Sequence, residues 1–188
     1  AAIYGRLGTC LNPYGTIASW LVDCINALTG NLDVAGGVMF PHPAHHVGRP
    51  LRDWRPGRHH SRVRGAREVR SELPIAVLPE EILTPGDGQV RAMITIAGNP
   101  CLSGPDSARM QAAFANLEFM VSVDPYLNET TRHADVILPP PPPLSRPHYD
   151  LAFNGLAVRN VARFVDSALP LPAGAIEEWR IMATLVAI

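Results

Sequence analysis

Lysine is absent from this 188-residue chain: all 16 basic residues are arginine, set against 17 acids for a formal net charge of −1. No bulk charge therefore draws the chain toward nucleic acid or an anionic membrane. The lysine deficit reads mainly as compositional bias, and secondarily as use of arginine's planar fork for anion contacts. Cysteine is scarce too. Cys10, Cys24 and Cys101 are odd in number and widely spaced. Without a C-x-x-C pair, neither a zinc ribbon nor an iron–sulfur cluster is assembled from this chain alone. Buried thiols in a reducing, cytoplasmic setting are the expectation. No apolar run approaches the ~18 residues of a membrane span, and no signal peptide is recognised. There is also no G-x-G-x-x-G or Walker loop to hold phosphates.

What is present suffices for one core or two small lobes, with 47% of residues hydrophobic and 18% charged. Ile17, Trp20, Leu21, Cys24, Ile25 and Leu28 fall on one face of a 3.6-residue period, which predicts a core helix from Ile17 to Thr29. Thr16 is placed to cap it and Gly30-Asn31 to end it. The opening AAIYG reads as the end of a strand. Near the other end, Trp179, Met182, Leu185 and Val186 form an apolar stripe that needs a partner surface. Both ends are expected to be cuts in a longer sequence.

Residues 41–70 hold five histidines, eight arginines and two acids without periodicity. A long surface excursion or a partly disordered loop is the expectation. An arginine-rich nucleic-acid-binding module using Arg49 to Arg70, with Trp54 as a stacking residue, is the competing reading. A solvated insertion is preferred to it. A metal site from His42, His45, His46, His59 and His60 is disfavoured, because no helix presents them together and no cysteine or carboxylate joins them.

The informative stretch follows a helical turn at 79–83 and a Pro85-Gly86-Asp87-Gly88 turn. Ala92 to Ala97 is a continuous apolar run, as for a parallel strand covered on both faces. Pro105 and Asp106 open a helix whose Met110, Ala113, Phe114 and Leu117 share a face. Phe119 to Val123 is a second run and Asp135 to Leu138 a third, ending in Pro139 to Pro143, which must leave the sheet as polyproline II. Strand, helix, strand is a βαβ unit. Ligands of open parallel sheets bind beyond the carboxyl ends of the strands. The loops meeting there would be Gly98-Asn99-Pro100, then Asp124-Pro125-Tyr126 with Asn128-Glu129-Thr130-Thr131, then Pro139 onward. Gly98 admits close backbone approach. Asn99 offers an acceptor and two donors, and Asp124 is an acceptor suited to ribose hydroxyls or a guanine N–H edge. On composition alone these loops read as ordinary turns.

The wording adds more. IAGNP (Ile96 to Pro100), followed by VSVDPYLNETTRHADVILP (Val121 to Pro139), resembles the central region of the molybdopterin oxidoreductase family of formate dehydrogenases and nitrate reductases. That family's pattern is roughly GNP … V-x-D-x-x-x-x-E-T-A-x-x-A-D-V-V-L-P. YGRLGT (Tyr4 to Thr9) and ASWLVDCINALTGNLDVAGGVMF (Ala18 to Phe40) look like its preceding helix. The resemblance runs from Tyr4 to Asp150 and is weakest over 41–70. It implies that Asn99 and the Val123-Asp124 pair contact the guanosine end of one molybdopterin guanine dinucleotide, carrying molybdenum or tungsten, and Gly98 joins them as the position that admits the cofactor closely. Glu129 and Thr130 match the motif, and Asn12 stands where the family often has a cofactor-facing glutamine. Asp135 matches too, although a strand-edge carboxylate holding a turn explains it equally well. Thr131 replaces the usual alanine. Ser145 replaces a glutamate before Arg146, which leaves Arg146 without an obvious partner.

The expected fold is α/β: a three-layer, Rossmann-like, mainly parallel sheet with flanking helices, with the Ile17 to Thr29 helix packed on it. Residues 1–40 would form the strand end and helix, 41–72 the insertion, 73–150 the dinucleotide-contacting unit and 151–188 an extension. No catalytic residue and no metal ligand is identified. The resemblance implies that partners are the rest of one enzyme, namely an N-terminal iron–sulfur domain and a C-terminal barrel, together with a small-molecule redox substrate such as formate or nitrate. A non-catalytic nucleotide-binding α/β domain is the other reading.

Overall fold

The computed structural model describes residues 1–44 and 55–187. The chain divides into two compact units, Ala1–Gly48 with Tyr149–Phe164, and Arg49–His148 with Val165–Ile188.

The first unit is built on α1 (Leu7–Cys10) and α2 (Gly15–Leu28), the latter matching the predicted helix to within two residues. Gly15 is required by close approach, since a Cβ there would lie 2.4 Å from the Cys10 carbonyl oxygen. Thr16 does not cap the helix. The N-cap position is Tyr14, without a side-chain cap bond. The C-terminal end follows the expectation: Gly30 takes φ +69, Gly30 N–H donates to Ala27 O at 3.1 Å, and Asn31 N–H to Asn26 O at 2.8 Å. The opening residues are not a strand end. Buried Asn26 holds them instead, accepting from Ile3 N–H at 2.9 Å and donating to Ile3 O at 2.8 Å.

The apolar face of α2 is not core. Ile17, Trp20, Leu21, Ile25 and Leu28 are 41–87% exposed. A 3.6-residue period marks which face is apolar but not what covers it.

In the second unit, residues 55–72 form a small ordered turn structure rather than a featureless excursion, with antiparallel bridges His60–Arg67 and Val69–Glu72. Three arginines hold it together by meeting three buried acids. Glu68 accepts from Ser71 N–H (2.9 Å), Arg58 N–H (3.3 Å) and Arg58 Nε (3.2 Å). Arg62 lies 3.4 Å from Glu81, and Arg64 lies 2.9 Å from Glu80. Both glutamates belong to α3 (Leu78–Leu83), which fits the predicted helical turn. His45, His46, Arg49 and Trp54 lie outside the described residues.

The sheet follows. β1 (Ala92–Ile96) leads through α4 (Pro100–Ser103) and α5 (Ser107–Phe114) to β2 (Phe119–Val123), which runs parallel with Ala92 opposite Phe119 and Ile96 opposite Val123. β3 (Val136–Ile137) adds a third parallel strand beside β2. The fold class is therefore α/β, as predicted. Asp106 caps α5, accepting from Arg109 N–H at 3.1 Å. Met110, Ala113 and Phe114 bury the predicted face against Ile82, Cys101 and Met120. Each large side chain there contributes at most about 1.5–3 kcal/mol. Across the same face, the Thr95 and Ser122 hydroxyls are 2.7 Å apart. The other face is open at β1, where Ile94 and Ile96 are 54% and 49% exposed. As an edge strand β1 is not covered on both faces, contrary to expectation.

β4 (His148–Tyr149) pairs with β5 (Phe164–Val165), with the short α6 (Leu151–Asn154) between them in sequence. α7 (Glu178–Val186) buries Ile181, while Trp179 and Val186 of the predicted stripe are 61% and 88% exposed. Arg146 has a partner after all, because its Nη1 lies 2.5 Å from Glu178 Oε2. The carboxylate missing at Ser145 is supplied from 32 residues downstream. Among the described residues no helix is long and apolar enough to cross a membrane.

Candidate functional site at the carboxyl rim of the sheet

Because β1 and β2 are parallel and end in register, the chain leaves both at one rim. Ala97 N–H donates to Val123 O at 3.0 Å and ties the two strand ends together. Val123 itself is 1% exposed, so its side chain faces the interior. The turn that swings the chain off β1 is made by Ala97, at φ +50, and not by Gly98. An L-residue there costs about 1–2 kcal/mol, which the tie to β2 helps to hold. A Cβ on Gly98 would meet nothing nearer than Ile96 O at 3.8 Å and Pro100 Cδ at 3.9 Å. Packing within the chain therefore does not demand glycine at that position.

Asn99 is the hub of the rim. Its Oδ1 accepts from the Thr130 hydroxyl at 2.7 Å, and its Nδ2 donates to Glu129 Oε2 at 2.8 Å. Thr130 is fully buried and its hydroxyl also accepts from Cys101 N–H at 3.0 Å, so one side chain stitches the two loops together. The Asn99 amide holds the exposed Glu129 carboxyl below the usual carboxylate range, with further help from its own backbone N–H and from Arg132. Burial pushes the Cys101 thiol up, which makes it a core thiol.

Asp124 is 7% exposed. Its Oδ1 accepts from Tyr126 N–H at 2.8 Å, an Asx-type turn, while Oδ2 has no partner among the described residues. The loop beyond is built by Asn128, whose Oδ1 accepts from Thr130 and Thr131 N–H, both at 2.9 Å. Thr131 Oγ1 accepts from Asn128 N–H and donates to Tyr126 O, each at 2.8 Å. The hydroxyl that distinguishes Thr131 from alanine is therefore used to lock this loop. Asp135 does the structural job weighed for it, accepting from Met120 N–H at 2.7 Å at the start of β2.

The structure thus brings Gly98, Asn99, Val123, Asp124, Glu129 and Thr130 to one rim, with an exposed second carboxylate and, without a partner among the described residues, one Asp124 oxygen and one Asn99 N–H. That set accepts hydrogen bonds more than it donates them, which suits a ligand edge rich in N–H or O–H. Asn12 lies in the other unit, and its side chain is engaged locally with Tyr14 N–H and Thr9 O at 2.8 and 2.9 Å. The pairing of Asn99 with Glu129 and the burial of Thr130 were not legible in the sequence. Both depend on contacts about thirty residues apart.

No family model matches the chain. It is 28% identical over 99 residues to the assimilatory nitrate reductase catalytic subunit of Bacillus subtilis, covering 53% of this chain and 13% of that one. It is 29% identical over 108 residues to the F420-dependent formate dehydrogenase 1 subunit alpha of Methanococcus maripaludis, covering 57% and 15%. Against the F420-dependent formate dehydrogenase subunit alpha of Methanocaldococcus jannaschii it is 30% identical over the same length and shares. The chain spans 13–15% of the length of these curated relatives. It is therefore similar to one limited stretch of nitrate reductase and formate dehydrogenase subunits.

Proposed function

We propose that this chain is an internal piece of a molybdenum or tungsten bis-molybdopterin-guanine-dinucleotide oxidoreductase, and that its sheet rim holds the guanosine end of one pterin dinucleotide. The single observation that carries this is the meeting of the Asn99 and Asp124 loops at the carboxyl ends of two parallel strands, the position at which open sheets bind nucleotides. The fit to a guanosine is chemical. Asp124 Oδ2 and the Glu129 carboxylate are acceptors for ring and amino N–H or ribose O–H groups, and Asn99 supplies a donor for a carbonyl or ring nitrogen. When bound in the whole enzyme, the metal–pterin group would supply two-electron redox chemistry. This chain's share is to bind and orient one end of it.

The remaining partners belong to the same reading. The open face of β1, the apolar face of α2 and the stripe on α7 would each be covered by other parts of the enzyme, among them an iron–sulfur domain and a barrel. Formate, nitrate or a similar small molecule would be the substrate of that whole.

The test is titration of the 188-residue chain with guanosine and adenosine monophosphates, followed by amide chemical shifts. Perturbations at residues 97–99, 124 and 129 by the guanine nucleotide alone are the expected result. Equal response to both nucleotides, or none at this rim, rejects the reading.

The non-catalytic nucleotide-binding alternative uses the same rim and is separated by whether a pterin dinucleotide binds more tightly than its nucleotide half. The nucleic-acid reading loses ground, because Arg58, Arg62 and Arg64 are engaged by Glu68, Glu81 and Glu80.

A further inference from the structure

We infer that buried Thr130 is a positioning residue which locks the Asn99 side-chain amide in one orientation, so that Asn99 presents an N–H rather than a carbonyl toward Glu129 and the rim. The placement of this amide in a binding edge rests on the function proposed above. The locking itself does not.

An asparagine amide can be turned over with little change in shape, so the hydrogen-bond network has to decide which atom points where. Two neighbours decide it here, and they agree. Glu129 Oε2 lies 2.8 Å from the Asn99 nitrogen. Turning the amide over would set a carbonyl oxygen against a carboxylate at that distance, with no proton between them. On the other side stands the Thr130 hydroxyl, 2.7 Å from Oδ1. That hydroxyl already accepts from Cys101 N–H at 3.0 Å, which leaves its single proton to donate. Asn99 Oδ1 is the acceptor within reach. With the amide reversed, the hydroxyl would accept twice and its proton would have no partner, in a side chain with 0% exposure. A buried unsatisfied donor costs about 1–3 kcal/mol.

The orientation fixes what a ligand meets. One Asn99 Nδ2–H is committed to Glu129, and the second has no partner among the described residues. Oδ1 is already occupied. The hub of the rim is thus a preset donor beside two carboxylate acceptors. Thr130 cannot touch a ligand directly, and everything it does for binding passes through Asn99. The lowered carboxyl of Glu129, whose largest cause is the Asn99 bond, agrees with this orientation.

The experiment is an NMR titration of the Glu129 side-chain carboxyl in the 188-residue chain, alongside Thr130→Val and Thr130→Ser. Thr130→Val keeps the shape but removes the hydroxyl, so the amide is held by Glu129 alone and samples both orientations, and the Glu129 midpoint should move up toward ordinary glutamate. Thr130→Ser, which keeps the hydroxyl, should hold the midpoint where the unaltered chain has it. An unmoved midpoint in a folded Thr130→Val chain overturns the inference. Should that variant fail to fold, the unaltered chain still decides: below the Glu129 midpoint, where the carboxylate no longer holds the amide, the Asn99 Nδ2 protons must keep their nuclear Overhauser contacts to Glu129, and a switch of those contacts to Thr130 overturns it. Guanosine monophosphate affinity is the separate arm, expected to fall about 2- to 12-fold in Thr130→Val, the equivalent of one neutral hydrogen bond. Absence of any nucleotide binding by the unaltered chain would reject the proposed function while the Glu129 titration still judged Thr130.

Discussion

Replacing Asp124 with asparagine separates the two jobs its carboxylate can do. Oδ1 accepts from Tyr126 N–H at 2.8 Å and holds the turn, and an asparagine oxygen can do the same. Oδ2 is the atom without a partner among the described residues, and it becomes an amide nitrogen. The fold therefore loses little, less than about 1 kcal/mol, since Oδ2 is not among the fully enclosed partnerless atoms and water can reach the amide that replaces it. Binding loses much more. A ligand N–H on a carboxylate oxygen is a charge-assisted bond contributing about 1.5–3 kcal/mol, which converts to about a 10- to 150-fold loss of affinity. Asp124→Ala gives the contrast: it removes the turn bond as well and should melt lower, by about 1 kcal/mol beyond the asparagine variant. Calorimetric titration with guanosine monophosphate and thermal unfolding of the three chains provide both numbers. Unchanged affinity in a stably folded Asp124→Asn chain would refute a ligand role for Oδ2. A loss of several kcal/mol of stability would make Asp124 a structural residue instead.

Gly98→Ala should leave stability within about 0.5 kcal/mol, because its new methyl group meets nothing nearer than 3.8 Å. The same methyl projects at the rim, so nucleotide affinity should fall, and a variant that binds normally would place the ligand elsewhere. Ala97→Gly should unfold no more easily than the unaltered chain, since it relieves the φ +50 conformation, whereas glycine at fully buried Ala113 in α5 should cost about 1 kcal/mol or more. Equal losses at the two positions in denaturant melts would argue against the left-handed turn. Acid provides a fourth test. The Ser71 N–H, with Arg58, holds the Glu68 carboxyl below its ordinary range. Its stabilising effect is thus complete above the unfolded value of about 4.3 and fades as pH falls through the lower folded value. Glu68→Gln should flatten the decline in stability over that acid range, measured by urea unfolding at a series of pH values. An identical decline in both chains would remove Glu68 from the account.

What could be read from residues alone was mostly local. The face of α5 carrying Met110, Ala113 and Phe114 was visible from spacing, because it is written within one helix, and Pro105-Asp106 marked its start, while the cap bond of Asp106 came only with the structure. The apolar runs gave strands within a residue or two, and the Gly30 stop of α2 was legible because only a left-handed residue ends a helix that way. The failures share a cause. Whether Ile17 or Ile94 is covered depends on what else packs there, and an apolar pattern carries no information about that neighbour. Thr16 looked like a cap by composition, yet the chain enters α2 one turn of context earlier, through Asn12 and Tyr14.

The arginine-rich stretch shows the same limit in electrostatic form. Counted within 55–70 alone, its arginines exceed its acids and suggest an anion partner, but the carboxylates that meet Arg62 and Arg64 sit in α3, beyond the window. Arg146 repeats the lesson with Glu178. At the rim, the order is reversed. There the sequence named residues that the fold does bring to one rim, and what it hid was their difference in access: Thr130 is enclosed and bonded only to its neighbours, while Glu129 is exposed. Adjacent positions in one motif thus have opposite access to solvent. A motif match alone would treat them as equals, and a substitution series across Glu129 and Thr130 should not.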